Sequence, residues 1–203
     1  LAKQLAMGKA PGLDGVTNEA IKFLPQAGYD LIYAVFASLT TKEMPRDTHW
    51  RQFTTILIPK AKGDLSTVGG YRPISLAPTI YKLWTKTVSH IMSTFVERNC
   101  ILSPSQEGFR KHRNCWRQIA YVHALLEDAN IARKDIHVAF IDYASAYNQV
   151  PHDKMLIILE KLGIPRDGLR VIEDIYAGAQ TNIRVGDGHT PFIPIRKGVI
   201  QGD

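Results

Sequence analysis

The run Ile136-His137-Val138-Ala139-Phe140-Ile141 is compact, apolar and rich in β-branched and aromatic residues, and it stops abruptly at a carboxylate, Asp142. Such a run predicts a strand buried on both faces, which commits part of the chain to the interior of a sheet. Ala144 and Ala146 then leave room beside the backbone, and Tyr147 closes the segment with a large flat ring. Acid, clearance and wall in that order suit a divalent ion held on Asp142 with a nucleotide sugar lying against an aromatic side chain. A plainer reading fits the same residues: Asp142 caps the next helix and Tyr147 packs in a core.

The 203 residues, 45% of them apolar, suffice for one large domain or two lobes. The chain starts at Leu1 rather than a methionine, and Gln201-Gly202-Asp203 follow a strand-like run, so a piece of a longer polypeptide is expected. No apolar stretch reaches the roughly 18 residues of a membrane span, and no signal peptide is recognisable, so an intracellular protein is expected, in nucleus or cytoplasm. Cys100 and Cys115 form no C-x-x-C pair and have no metal-ligand spacing with the histidines, which argues against a disulfide framework or a zinc site. Both are expected as buried thiols.

The net charge of +6 is less informative than its placement. Lys60 with Lys62, then Arg72, then Arg110-Lys111-His112-Arg113 with Arg117 form three basic clusters on segments that also carry Tyr71, Phe109 and Trp116. They suit a phosphate-rich partner, or simply a solvated face.

Periodicity predicts helices over residues 18–24, capped by Thr17, and 30–40, with Leu31, Ala34, Val35 and Leu39 on one face. Strands are expected over 50–60 and 72–76, forming a hairpin whose flexible, basic tip can reach a phosphate. A strongly amphipathic helix follows over 79–97, and another over 115–132 with Ile119, Val122, Leu126 and Ala129 as a buried stripe. Helices over 153–162 and 167–177 and a β-hairpin, 181–185 with 192–195, complete the chain. Helices with paired strands, lacking regular strand-helix alternation or a G-x-G-x-x-G turn, make the fold class α+β.

Five blocks now stand in order: Lys9-Ala-Pro-Gly-Leu-Asp-Gly15; Ile58-Pro-Lys60 with Tyr71-Arg-Pro-Ile-Ser75; Gln106-Glu-Gly-Phe-Arg110; Phe140-Ile-Asp142 with Ala146-Tyr147; and Gly198-Val-Ile-Gln-Gly-Asp203. In that order and spacing the chain resembles the reverse transcriptases of non-LTR (LINE-like) retrotransposons, with those of group II introns as relatives. The resemblance implies right-hand polymerase fingers and a partial palm, truncated before the second catalytic carboxylates and the thumb. It divides the chain into an N-terminal extension and start of the fingers (1–49), fingers (50–135) and partial palm (136–203).

By the same resemblance Asp142 is the catalytic and metal-holding carboxylate, joined by the backbone carbonyl of Tyr143, on a pair of Mg²⁺ ions. Lys60 or Lys62, with Arg72, would clasp the incoming triphosphate, a task for which a guanidinium is well shaped. Tyr147 would exclude a 2′-hydroxyl, Gln201 would contact the nucleotide, and Arg110, Lys111 and Arg113 would meet template phosphates. The implied partners are an RNA template, a DNA primer and dNTPs, with no membrane. Asn148 departs from the family, many of whose members carry an acid there. The family's Tyr/Phe-x-Asp-Asp block is absent from the sequence, so residues 1–203 alone are expected to lack polymerase activity. The alternative is a decayed copy that only binds RNA.

Overall fold

A computed structural model describes residues 1–41 and 49–200. In chain order its elements are α1 (Asn18–Lys22), α2 (Gln26–Thr41), β1 (Gln52–Pro59), β2 (Tyr71–Leu76), α3 (Thr79–Arg98), α4 (Cys115–Ile131), α5 (Ala146–Gln149), α6 (His152–Lys161), α7 (Arg166–Tyr176), β3 (Gln180–Val185), β4 (Gly188–His189) and β5 (Ile193–Pro194). The mixture of helices with one sheet agrees with the sequence pattern. The chain divides into two compact units, one built from residues 1–89 and 145–203 and the other from 90–144.

The first unit contains the sheet, in the order β2-β1-β3-β4, with β5 also paired to β3. β1 and β2 form the expected antiparallel hairpin, in which Ile58 faces Arg72 and Pro59 faces Tyr71. Its other neighbour is unexpected: β3 runs parallel to β1, with Phe53 opposite Thr181 and Thr55 opposite Ile183. The seam is tied by hydroxyls, Thr55 Oγ1 lying 2.8 Å from Thr181 Oγ1 and 3.2 Å from Ser75 Oγ. β3 also receives the anticipated return strand, shortened to β5, with Thr181 opposite Ile193.

Helices cover the sheet through an aromatic core. Phe53 of β1 meets Tyr81 of α3 edge-on at 5.1 Å between ring centroids, and Trp84 meets Phe36 of α2 at 5.0 Å. All four rings are buried, with Leu39, Leu83 and Ile175 around them; such rings supply much of a core's apolar area. A buried ion pair, Arg51 Nη2 to Asp174 Oδ1 at 2.9 Å, fastens the start of β1 to α7. The N-terminal block is held against the start of α3, where the Thr79 hydroxyl donates to Val16 O at 2.6 Å. A Cβ on Gly12 would stand 2.5 Å from Pro78 N, so that approach admits only glycine.

Four sequence expectations are corrected. Residues 136–141 form no strand, and Phe140 and Ile141 are exposed. A central strand needs partners on both edges, and among its described residues the second unit contains no strand to pair with. α4 has no buried residue, and Ile119 and Leu126 are exposed, because an amphipathic stripe is buried only when a second layer packs on it. Cys100, two residues past the end of α3, and Cys115, at the first turn of α4, are exposed thiols. On α2 the buried stripe is Phe36 and Leu39 with Ile32 half-buried beside them, and Leu31 is exposed; the helix is apolar nearly all round, and the tilted contact of Phe36 with Trp84 selects the face.

Candidate nucleotide and nucleic-acid site

The hairpin tip folds on itself rather than forming the loose loop expected. Lys60 N–H donates to Gly70 O at 2.8 Å, and its ammonium Nζ donates to Gly69 O at 2.9 Å. Asp64 accepts from the Ser66 hydroxyl at 2.7 Å and from its backbone N–H at 2.9 Å. Those bonds, the hydroxyl's first, hold the Asp64 carboxyl below its ordinary pKa. A Cβ at Gly70 would lie 2.0 Å from Asp64 O, so the crossing of the two loop arms requires glycine. Lys62 is exposed at this tip.

Strand alternation gives the hairpin two faces. Thr55, Leu57, Tyr71, Pro73 and Ser75 line a cavity of about 800 Å³, bounded also by Thr181 and Ile183, by Ser145 and Asn148, by residues 193–200 and by Lys60. Arg72 alternates to the opposite face and is exposed.

Tyr147 sits in the first turn of α5, preceded by Ser145 in the left-handed conformation (φ 52°, ψ 42°), an arrangement that costs a non-glycine residue about 1 kcal/mol. The 197–200 segment is docked on this turn. Val199 N–H donates to Tyr147 O at 2.8 Å, Gly198 N–H to Val150 O at 2.7 Å, and Lys197 Nζ to Gln149 Oε1 at 2.8 Å. His152 Nε2 lies 2.7 Å from Gly198 O, and its ring packs on Tyr176 at 4.5 Å. Gly198 has φ of 91°, and a Cβ there would meet Asn148 Cα at 3.0 Å. Gln201, assigned to the nucleotide, lies outside the described residues.

In the second unit Asp142 and Tyr143 are exposed. Among the described residues no three His, Cys, Asp or Glu side chains gather where they could hold an ion, so Asp142 alone does not make a metal centre. The basic loop is ordered by its own arginines. Arg110 grips Glu97 in a bidentate pair, Nε to Oε1 at 2.8 Å and Nη2 to Oε2 at 2.7 Å, while Nη1 donates to Ser103 O at 2.9 Å. The hydrogen bond from Arg110 holds the Glu97 carboxyl below its usual range, and Glu97 in turn raises the Arg110 guanidinium. Arg113 donates to Pro104 O at 2.8 Å and to Glu107 at 3.0 Å. Lys111, Phe109 and Trp116 are exposed.

Sequence reasoning missed His152 and the left-handed Ser145. The position of His152 beside a proline at a helix start was visible, but its carbonyl partner lies 46 residues away.

Residues 58–203 match the family described as reverse transcriptase (RNA-dependent DNA polymerase). The chain is 33% identical over 202 residues to the retrovirus-related Pol polyprotein from type-1 retrotransposable element R2 of Popillia japonica, covering 96% of this chain and 26% of that protein. Two Drosophila melanogaster proteins are each 26% identical. The probable RNA-directed DNA polymerase from transposon BS matches over 98% of this chain and 22% of its own length, and the RNA-directed DNA polymerase from mobile element jockey over 100% and 22%. The chain belongs to the reverse transcriptase family. Within that family it groups with the enzymes of non-LTR retrotransposons, and it spans roughly a quarter of the length of these relatives. No helix among the described residues is long and apolar enough to cross a membrane.

Proposed function

We propose that the chain forms the fingers and first part of the palm of an RNA-directed DNA polymerase, which extends a DNA primer along an RNA template with dNTPs. Residues 1–49 lead into fingers over 50–135, and the palm begins at 136. The observation that carries this reading is the shared cavity: the hairpin with Lys60, the residues flanking Tyr147 and residues 193–200 are far apart in sequence and border one space.

The cavity's apolar walls and hydroxyl floor suit a base and sugar; Ser145 and Asn148, on either side of Tyr147, line it, and Tyr147 in that same turn would reject a 2′-hydroxyl by clash. Lys62, at the tip, suits the triphosphate, while Arg72 leaves the edge strand on the face away from the cavity and would reach a phosphate only around that edge. Lys60 is the less suitable of the two lysines, since its ammonium already closes the tip on Gly69. Gln201 would contact the nucleotide from the end of the docked segment. In the basic loop, Arg110 and Arg113 shape the backbone through Glu97 and Glu107, and Lys111 reaches out to template phosphate. Asp142 and the Tyr143 carbonyl would supply part of the ligand set for two Mg²⁺ ions in the complete enzyme, ions that stabilise charge on the transferred phosphoryl group when bound.

Primer extension tests the proposal. The complete polymerase should extend a primer on RNA and lose that activity with Asp142→Ala, whereas residues 1–203 alone should give no product. Extension by residues 1–203 that Asp142→Ala abolishes would show that the metal site is complete within them and overturn the division proposed. A complete enzyme that binds RNA yet extends nothing would leave an RNA-binding module.

A further inference from the structure

We propose that His152 is a positioning residue for nucleotide selection, acting through the Gly198 carbonyl; this rests on the polymerase reading above. A carbonyl oxygen has no proton to give, so at 2.7 Å Nε2 must be the donor and carry hydrogen. The ring is held in that orientation by Tyr176, 4.5 Å away between centroids. The partner is equally constrained. Gly198 is buried, has a φ reserved for glycine, and donates its own N–H to Val150 O at 2.7 Å.

The bond therefore joins the first turn of α6 to the segment that crosses the turn bearing Tyr147. One residue further on, Val199 N–H bonds the carbonyl of Tyr147 itself. The turn bearing Tyr147 and residues 197–200 are thus clamped together, and His152 fastens them from α6. A second side-chain tie, from Lys197 to Gln149, runs between exposed residues. An exposed tie contributes less than a partly buried one, because water replaces it readily. His152 touches no reacting atom in this arrangement. Its loss should loosen the fit around sugar and base while leaving the chemical step nearly intact, which is the signature of ground-state positioning.

The experiment uses the complete polymerase with three variants. His152→Phe keeps a ring on Tyr176 but has no donor, and His152→Gln places an amide N–H near the position of Nε2. His152→Asn, whose amide falls short of Gly198 O, serves if the phenylalanine variant fails to fold. Steady-state primer extension should show KM for dNTP raised about tenfold in His152→Phe with kcat changed far less, and the preference for dNTP over rNTP reduced by several fold. His152→Gln should restore both to within about threefold of the parent. Unchanged KM and discrimination in His152→Phe would overturn the inference. So would equal loss in the phenylalanine and glutamine variants, or loss of kcat and thermal stability with no change in selection, since each would mean that ring packing alone matters. The parent and Asp142→Asn in parallel separate the two claims: a parent that extends nothing removes the polymerase reading, whereas parental extension lost in Asp142→Asn beside an unaffected His152→Phe removes only the role of His152.

Discussion

Gly198→Ala should unfasten the docked segment, and the geometry sets the size of the effect. A φ of 91° lies beyond the left-handed well that L residues tolerate, and the new Cβ would stand 3.0 Å from Asn148 Cα and 3.1 Å from the carbonyl oxygens of Asn148 and Tyr147. The conformational penalty is about 1–2 kcal/mol, and easing three tight backbone contacts brings the total to about 2–3 kcal/mol. For a chain of this length that corresponds to a Tm lower by roughly 4–12 °C. Thermal unfolding would measure it, and hydrogen exchange would localise it. The Val199 amide, bonded to Tyr147 O, should lose protection first, while amides in the β1–β3 seam keep theirs. Gly188→Ala is the control, since its Cβ would meet nothing nearer than Val185 O at 3.8 Å, and it should shift Tm by no more than about 1–2 °C. An alanine at 198 that leaves both Tm and Val199 protection at parental values would refute the reasoning.

Asp174→Ala should destabilise the first unit by about 3–5 kcal/mol in urea unfolding, because it removes the carboxylate 2.9 Å from a guanidinium whose side chain is 5% exposed. Replacing both partners, Arg51→Met with Asp174→Leu, should recover most of that loss; a double variant as weak as the single one would count against a buried charge as the cause. The Glu97–Arg110 pair gives a pH dependence. Because the folded-state pKa of Glu97 is depressed, its contribution is fully present above the unfolded value and is lost as pH falls through the folded one. The basic loop should therefore stay ordered past the ordinary glutamate value of about 4.3 and release only in stronger acid. Glu97→Gln should weaken the loop at neutral pH, with Trp116 fluorescence as the readout in both cases.

What the sequence disclosed was local. The hairpin that carries Arg72, the N-cap at Thr17, and the extents of α3, α6 and α7 to within a residue or two all follow from patterns within a few residues. The parallel pairing of β1 with β3 did not, since neither strand's own residues specify a partner so far along the chain. The strand expected over 136–141 and the buried stripe of α4 failed for a related reason. Hydrophobic runs state what a segment would bury, and only a second layer decides whether it does so. Of the candidate site, the basic and aromatic residues were legible one by one. Their engagements were not: Arg110 is committed to Glu97, Lys60 to Gly69, and the turn at Tyr147 to a segment whose Gly198 carbonyl is held by a histidine that no motif singled out.

The β1–β3 seam also bears on how the chain is made. Thr55 and Thr181, joined by hydroxyls, are 126 residues apart. At roughly 5–20 residues per second the ribosome needs on the order of ten seconds to deliver the second strand after the first. Throughout that interval β1 has β2 on one side and an unsatisfied backbone edge on the other, the kind of edge that recruits strands from other chains. Pairing across such a separation also slows the closing step itself. Yield of soluble protein should therefore depend on what shelters that edge during synthesis.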